Sequence, residues 1–383
     1  MTMIPRPRLV HDVMTRLTEA PVTILFGARQ TGKTTLARMV AEQHDQVRFL
    51  DLEVAADRMA LATAPERLLS EARGLVILDE VQRMPSLFEV LRPLADRPGT
   101  PARFLLLGSA SPELVRGTSE TLAGRALFLQ VPGFTLEELG PGRQDDLWLR
   151  GAFPRAILAA NGAASVRWRE SFIDSFLERD IPQLGIRVPA ATLRRFWNML
   201  SHFHGQVWNG AELARSLGAN EKTAKHYLDI LTGAFMLRTL PAWHENIGKR
   251  QVKSPKVFIR DSGLLHTLLG LHTREQLESH PRFGASWEGF ALEQTLARFG
   301  DRHAWFWATQ RGAELDLMLL HEGRRIGFEF KCADAPGMTR SLSIASADLQ
   351  LDRAFVVYPG VKRYQLADRV EVMPLSDMPA LEP

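Results

Sequence analysis

A single cysteine, Cys332, in 383 residues excludes an intrachain disulfide framework and any structural zinc site built on cysteine. It fits a reducing compartment, with the thiol read as a small buried hydrophobe. Net charge is scarce as well. The 47 Lys and Arg nearly cancel the 44 Asp and Glu, leaving a formal +3, so affinity for nucleic acid has to come from local patches. No run approaches the roughly 18 apolar residues of a membrane span. Met1 to Arg8 holds Pro and Arg but no apolar signal core, so a cytoplasmic protein is expected. What remains is ordinary for a globular chain, 45% apolar, at a length that predicts two or three domains.

Against that background one run stands out. Gly27-Ala28-Arg29-Gln30-Thr31-Gly32-Lys33-Thr34 matches G-x-x-x-x-G-K-[ST], placed after the apolar run Val22 to Phe26 and before the helical pattern Leu36 to Ala41. Glycines let the backbone wrap closely round phosphates, N–H groups up to Thr35 and the helix N-terminus point at the anion, Lys33 adds a point charge, and the Thr34 hydroxyl suits Mg²⁺. ATP with Mg²⁺ is the expected cofactor. Downstream, Leu75-Val76-Ile77-Leu78 reads as a buried parallel strand ending in Asp79-Glu80, a Walker B pattern. Asp79 is expected to hold the metal through its water shell and Glu80 to orient or deprotonate the attacking water.

Strands near 22–26, 47–52, 74–79, 103–107 and 126–131 alternate with helices near 33, 54–72 and 86–96, which predicts an α/β domain with a mostly parallel sheet. Ser109 follows the fourth strand at the edge where such folds bind ligands; it reads as a γ-phosphate or water sensor, or equally as a turn or capping hydroxyl. Arg125 reads as an arginine reaching a neighbouring subunit's phosphate, or as a solvated charge at a strand end. From about 135 to 205 apolar residues recur at helical spacing, and the aromatics among them, Trp148 to Phe196, read as core.

These motifs resemble the AAA+ class ATPases that carry a C-terminal segment of the DUF4143 type. The family's opening arginine pattern is similar to Arg6 to Leu9, its phosphate loop to Gly27 to Leu36, its L-D-E-[IV]-Q element to Leu78 to Gln82, its sensor strand to Gly108 to Ser111 and its L-[AS]-G-R element to Leu122 to Arg125. The resemblance implies that Arg125 is an arginine finger acting in trans and that the protein assembles as a ring, commonly a hexamer. Arg155 is the one guess at a second sensor arginine.

Between Gly210 and Leu240 two short helical patterns flank the turn Leu217-Gly218-Ala219-Asn220 at helix-turn-helix spacing. Asn220 is placed to cap the second helix, which would show Lys222, Lys225 and His226 outward and pack Tyr227, Leu228 and Leu231 inward. Gly248 to Lys256 carries Lys249, Arg250, Lys253 and Lys256 with no acid; as the wing of a winged helix it would meet DNA phosphates, whereas as a solvated hairpin it would serve a protein-binding module.

Further on, Asp316 and, beyond a hairpin at Glu322-Gly323, Glu329 and Lys331 lie on adjoining strands, with Glu288 and then Glu293 on a preceding helix. This pattern is similar to the PD-(D/E)XK nuclease fold, to which the DUF4143 segment is likened. The likeness implies that Asp316, Glu329 and an upstream Glu, Glu288 before Glu293, hold Mg²⁺ beside Lys331, or else that the fold is kept for binding with an idle site. The organisation expected is an ATPase core over 1–140, a helical lid over 141–205, a winged helix over 206–275 and a restriction-endonuclease-like α/β domain over 276–383. The order of parts is similar to that of ring motors acting on branched DNA such as Holliday junctions, so DNA is the expected partner. An ATP-regulated nuclease of a defence or toxin-antitoxin system and an ATP-switched protein-interaction module are the alternatives.

Overall fold

The computed structural model describes residues 3–99, 102–109, 122–244 and 252–382. The chain divides into two compact units, one of Met1–Gly133 with Gln183–Ile186 and Gly233–Phe235, the other of Phe134–Pro182, Arg187–Thr232 and Met236–Pro383.

The first unit is built on five strands, β1 (Val22–Phe26), β2 (Val47–Asp51), β3 (Gly74–Asp79), β4 (Ala102–Gly108) and β5 (Ala126–Gln130), in the order β2-β3-β4-β1-β5. Every neighbouring pair is parallel, so all five carboxyl ends lie on one edge. Because side chains alternate across a strand, β3 splits its apolar run between two cores. Leu75 and Ile77 pack with Leu9, Val13 and Leu17 of α1 (Pro7–Glu19) and Leu36, Ala37 and Val40 of α2 (Lys33–Ala41). Val76 and Leu78 face the other way, toward Leu87, Phe88 and Leu91. Each such buried Leu or Ile contributes about 2 kcal/mol of apolar transfer, which makes a strand without polar residues stable only in the middle of a sheet. The helix expected over 54–72 is two, α3 (Ala55–Thr63) and α4 (Pro65–Ser70), because Pro65 disfavours helical backbone at Ala64, which takes φ −150°. Next comes α5 (Leu87–Ala95).

The second unit begins with helices, among them α6 (Gly162–Ser175) and α7 (Ala190–His202). Its aromatics are core, as expected: the rings of Phe153 and Phe172 lie 4.7 Å apart and those of Phe176 and Trp197 5.4 Å. Then come α8 (Gly210–Leu217) and α9 (Glu221–Gly233). A small antiparallel sheet follows, β6 (Gln206–Val207), β7 (Leu237–Leu240) and β8 (Lys256–Ile259), with β8 in the middle. The C-terminal part is a mixed sheet in the order β13-β14-β12-β11-β10-β9. Its strands are β9 (Ala304–Ala308), β10 (Glu314–His321), β11 (Arg324–Phe330), β12 (Arg353–Tyr358), β13 (Tyr364–Ala367) and β14 (Val370–Pro374), and it packs against α10 (Phe283–Phe299) and α11 (Arg340–Asp348). The hairpin at Glu322-Gly323 forms as expected, with φ 49° and 80°, the paired left-handed geometry of a tight two-residue turn.

Candidate functional site

The loop between β1 and α2 has the shape of an anion cradle. Gly27 takes φ 151°, and a Cβ there would come 2.5 Å from the Val131 carbonyl oxygen; Gly32 takes φ 91°, open to glycine and strained for other residues. Lys33 Nζ donates to the carbonyls of Gly27 and Ala28 at 3.0 and 2.7 Å. Burial pulls its pKa down to about 8, with Glu80 and Asp79 opposing the shift. Thr31 donates to the Ala28 carbonyl at 3.0 Å, while Gln30 and Thr35 are exposed. Arg29 turns aside to Glu53 at 2.7 Å. Arg6, 4% exposed, donates to the carbonyls of Thr31, Pro132 and Gly133 at 3.1, 3.1 and 2.9 Å. It thereby ties the loop to the segment leaving β5, a contact between residues 126 apart that spacing does not foretell.

The two carboxylates beyond β3 are brought to this loop in different ways. Thr34 Oγ1 donates to Asp79 Oδ2 at 2.6 Å, and burial raises the Asp79 carboxyl to about 6 against the hydrogen bond from Thr34. These hard oxygen donors suit Mg²⁺. Glu80 sits in the left-handed region, φ 56°, which turns its side chain out of strand alternation. Its carboxylate accepts from Ser109 at 2.9 Å and from Gln82 Nε2. Ser109 thus touches the water-activating candidate; Gln82, the last residue of the L-D-E-[IV]-Q element, is a partner to which the sequence assigned no role.

Arg125 precedes β5 at the opposite edge of the sheet from the loop. Since Val22 faces Ala126 and Phe26 faces Gln130, it stands about 20 Å from Gly27 by strand rise. Its guanidinium grips Asp96 with two bonds of 2.7 and 2.8 Å. Arg155 is exposed in the short helix Pro154–Ile157 of the second unit.

In the second unit Asn220 accepts from the Thr223 N–H at 2.8 Å, the expected cap. Lys222, Lys225 and His226 are exposed, while Leu228 and Leu231 are buried. Lys225 is paired along the helix with Asp229. Lys249 and Arg250 lie outside the described residues; Lys253 is exposed. Lys256 departs from expectation. It is no wing residue facing phosphate but is buried, 3% exposed, because it opens a strand enclosed on both sides and its ammonium meets carboxylates. Its Nζ lies 2.8 Å from Glu288 Oε1 and contacts Glu314.

Glu288, Glu314 and Asp316 have carboxylate oxygens within 4.8 Å of one another. Glu314 is a member that the sequence reading omitted. Asp316 Oδ2 also accepts the Phe330 N–H at 2.9 Å. Glu329 pairs with Lys331 at 2.9 Å and with Thr339 at 3.2 Å. Glu293, the second choice for the helix glutamate, is elsewhere engaged, by Arg238 and by Arg260 at 3.2 Å. Two turns of a helix cannot present both glutamates to one site when they are five residues apart.

Comparison with known proteins places these motifs. Residues 19–140 match an AAA domain, 142–275 a domain of unknown function (DUF8612) and 283–378 a domain of unknown function (DUF4143). The uncharacterized proteins Rv2008c of Mycobacterium tuberculosis and Mb2031c of Mycobacterium bovis are each 51% identical over 362 residues, 94% of this chain and 82% of the relative. The Walker-type ATPase PABY2304 of Pyrococcus abyssi shares the fold, with TM-score 0.51 at 15% identity over 70% of this chain and 96% of that one. RuvB of Thermotoga maritima aligns with TM-score 0.33 at 18% identity, over 62% and 90%.

Proposed function

The chain belongs to the family that joins an AAA-type P-loop domain to a C-terminal DUF4143 domain, and from that premise we propose that it is a Mg²⁺-dependent ATPase doing work on DNA as a ring. The observation that carries the ATPase reading is the convergence, at one edge of the parallel sheet, of Lys33, Thr34, Asp79, Glu80 and Ser109. The Lys33 ammonium exchanges its two loop carbonyls for β and γ phosphate oxygens. Thr34 and Asp79 would hold Mg²⁺, which would supply positive charge beside the phosphates. Glu80 orients the attacking water and Ser109 steadies Glu80.

Arg125 supports assembly. At the far edge of its own sheet it serves a neighbouring subunit's nucleotide, the arrangement a closed ring of about six provides. DNA as the partner rests on the basic stretch Lys249, Arg250 and Lys253, read from the sequence as a wing, and on the exposed Lys222 of α9. The test is ATP hydrolysis with and without linear, single-stranded and four-way DNA, at two salt concentrations. Stimulation by one DNA form supports the reading, and a rate indifferent to all three removes DNA from it.

A further inference from the structure

Lys256 opens β8, whose backbone is fixed on both sides, opposite Val207 of β6 and opposite Leu240 of β7. Its side chain is 4% exposed. The Nζ is 2.8 Å from Glu288 Oε1, in contact with Glu314 and 3.7 Å from Asp316 Oδ1. Two aromatic rings flank it. Phe258, two residues on and so on the same strand face, has its ring centre 5.9 Å from Nζ, and Phe306 of β9 has its ring centre 5.8 Å away.

By donor chemistry alone the three carboxylates suit a hard divalent ion. The space among them does not. A nuclease metal needs oxygen ligands all round, several of them waters, and room for the scissile phosphate. Here the ammonium already stands among the carboxylates, and aromatic faces form part of the surround. Such faces stabilise an organic cation and supply no oxygen ligand. Glu329 has one oxygen, Oε2, buried without a hydrogen-bond partner. Its other oxygen, Oε1, meets Lys331 Nζ at 2.9 Å, so this carboxylate too already has an ammonium beside it.

We propose that the acidic cluster of the C-terminal domain is a closed charge cluster in which the Lys256 ammonium takes the place of a divalent metal, locking β8 to α10 and β10. A nuclease-like fold is thereby turned into a binding or structural one. This inference rests on the likeness of the C-terminal domain to nucleases and stands apart from the ATPase reading, so either can fail alone.

Mn²⁺ binding, followed by loss of the free-ion electron paramagnetic resonance signal, tests it. All proteins are full-length, free of nucleotide, and carry Asp79→Asn to remove the phosphate-site carboxylate. The expected result is no bound Mn²⁺ with Lys256 present, one bound ion in Lys256→Met, and none again once Asp316→Asn is added. Thermal unfolding should show Mn²⁺ stabilising only the Lys256→Met protein. A protein retaining Lys256 that binds Mn²⁺ and loses it on Asp316→Asn overturns the proposal, and so does a folded Lys256→Met that gains no ion. Should Lys256→Met not fold, the comparison of Asp316→Asn with its parent still decides. Metal-dependent nicking of supercoiled DNA by the unsubstituted protein, abolished by Asp316→Ala, would also overturn it.

Discussion

Ser109 at the end of β4 shares its hydroxyl proton between both oxygens of Glu80, at 2.9 and 3.2 Å. The adjoining strand therefore aims the carboxylate that follows β3. Ser109→Ala should lower kcat for ATP roughly fivefold, the worth of about 1 kcal/mol for one hydrogen bond, with KM little changed. Glu80→Gln should keep nucleotide binding and hydrolyse at least roughly tenfold more slowly, whereas Lys33→Ala should lose affinity. Steady-state kinetics with a parallel nucleotide-binding assay separates the three, and a parental rate in Glu80→Gln removes Glu80 from the chemistry.

Arg125→Ala should bind ATP normally and fail to hydrolyse it. Mixed with Lys33→Ala, which still offers an intact arginine, it should recover part of the activity, because each mixed interface then joins one good loop to one good finger. Absence of recovery together with a rate strictly proportional to protein down to dilute monomer would assign Arg125 to its contact with Asp96 alone.

The nucleotide-free loop carries an electrostatic cost that depends on pH. The Asp79 carboxyl stands at about 6 in the folded protein instead of the ordinary 3.8. A raised carboxyl favours folding below the ordinary value and loses that contribution as pH climbs through about 6. Asp79→Asn keeps an acceptor for Thr34 and sheds the charge. It should be more stable than the parent at about pH 7.5, by roughly 3 kcal/mol at most, with the gap closing as pH falls through about 6 toward about 4. Thermal unfolding across that range, without nucleotide, measures it; a gap independent of pH would mean that the carboxylate's ionisation is not its source.

Reversing Lys249, Arg250 and Lys253 to Glu should weaken retention of DNA and flatten its dependence on salt, since fewer counterions are released. Binding titrations at several salt concentrations read both. Unchanged retention at low salt would move the contact to another surface.

The phosphate loop and the strand ending in Asp79 are legible in the sequence because their chemistry is local. Gly27 and Gly32 meet backbone demands that few other residues tolerate, and a doubly buried strand admits no polar side chain until it reaches its end. The five strands of the first unit are readable within about a residue for the same reason. The contacts of Arg6 and Lys256 are not, because their partners come from distant segments. Lys256 meets Glu288 and Glu314 only when a three-stranded sheet, a helix and a mixed sheet have been assembled. The one local hint is its company: a lysine heading Val257-Phe258-Ile259 begins a buried strand and has to find an opposite charge inside. Glu293 misleads for the converse reason. Its spacing from Glu288 does not reveal that Arg238 and Arg260 are waiting elsewhere.

The placement of β1 between β4 and β5 has a consequence for how the protein is made. The strand that launches the phosphate loop is made well before its hydrogen-bonding neighbours, which are Phe104 to Gly108 on one side and Ala126 to Gln130 on the other. Until that later chain has emerged, Val22 to Phe26 is an apolar segment with both edges bare, the kind that seeks any strand it meets. The sheet that holds the phosphate loop can therefore close round β1 only after synthesis has passed residue 130.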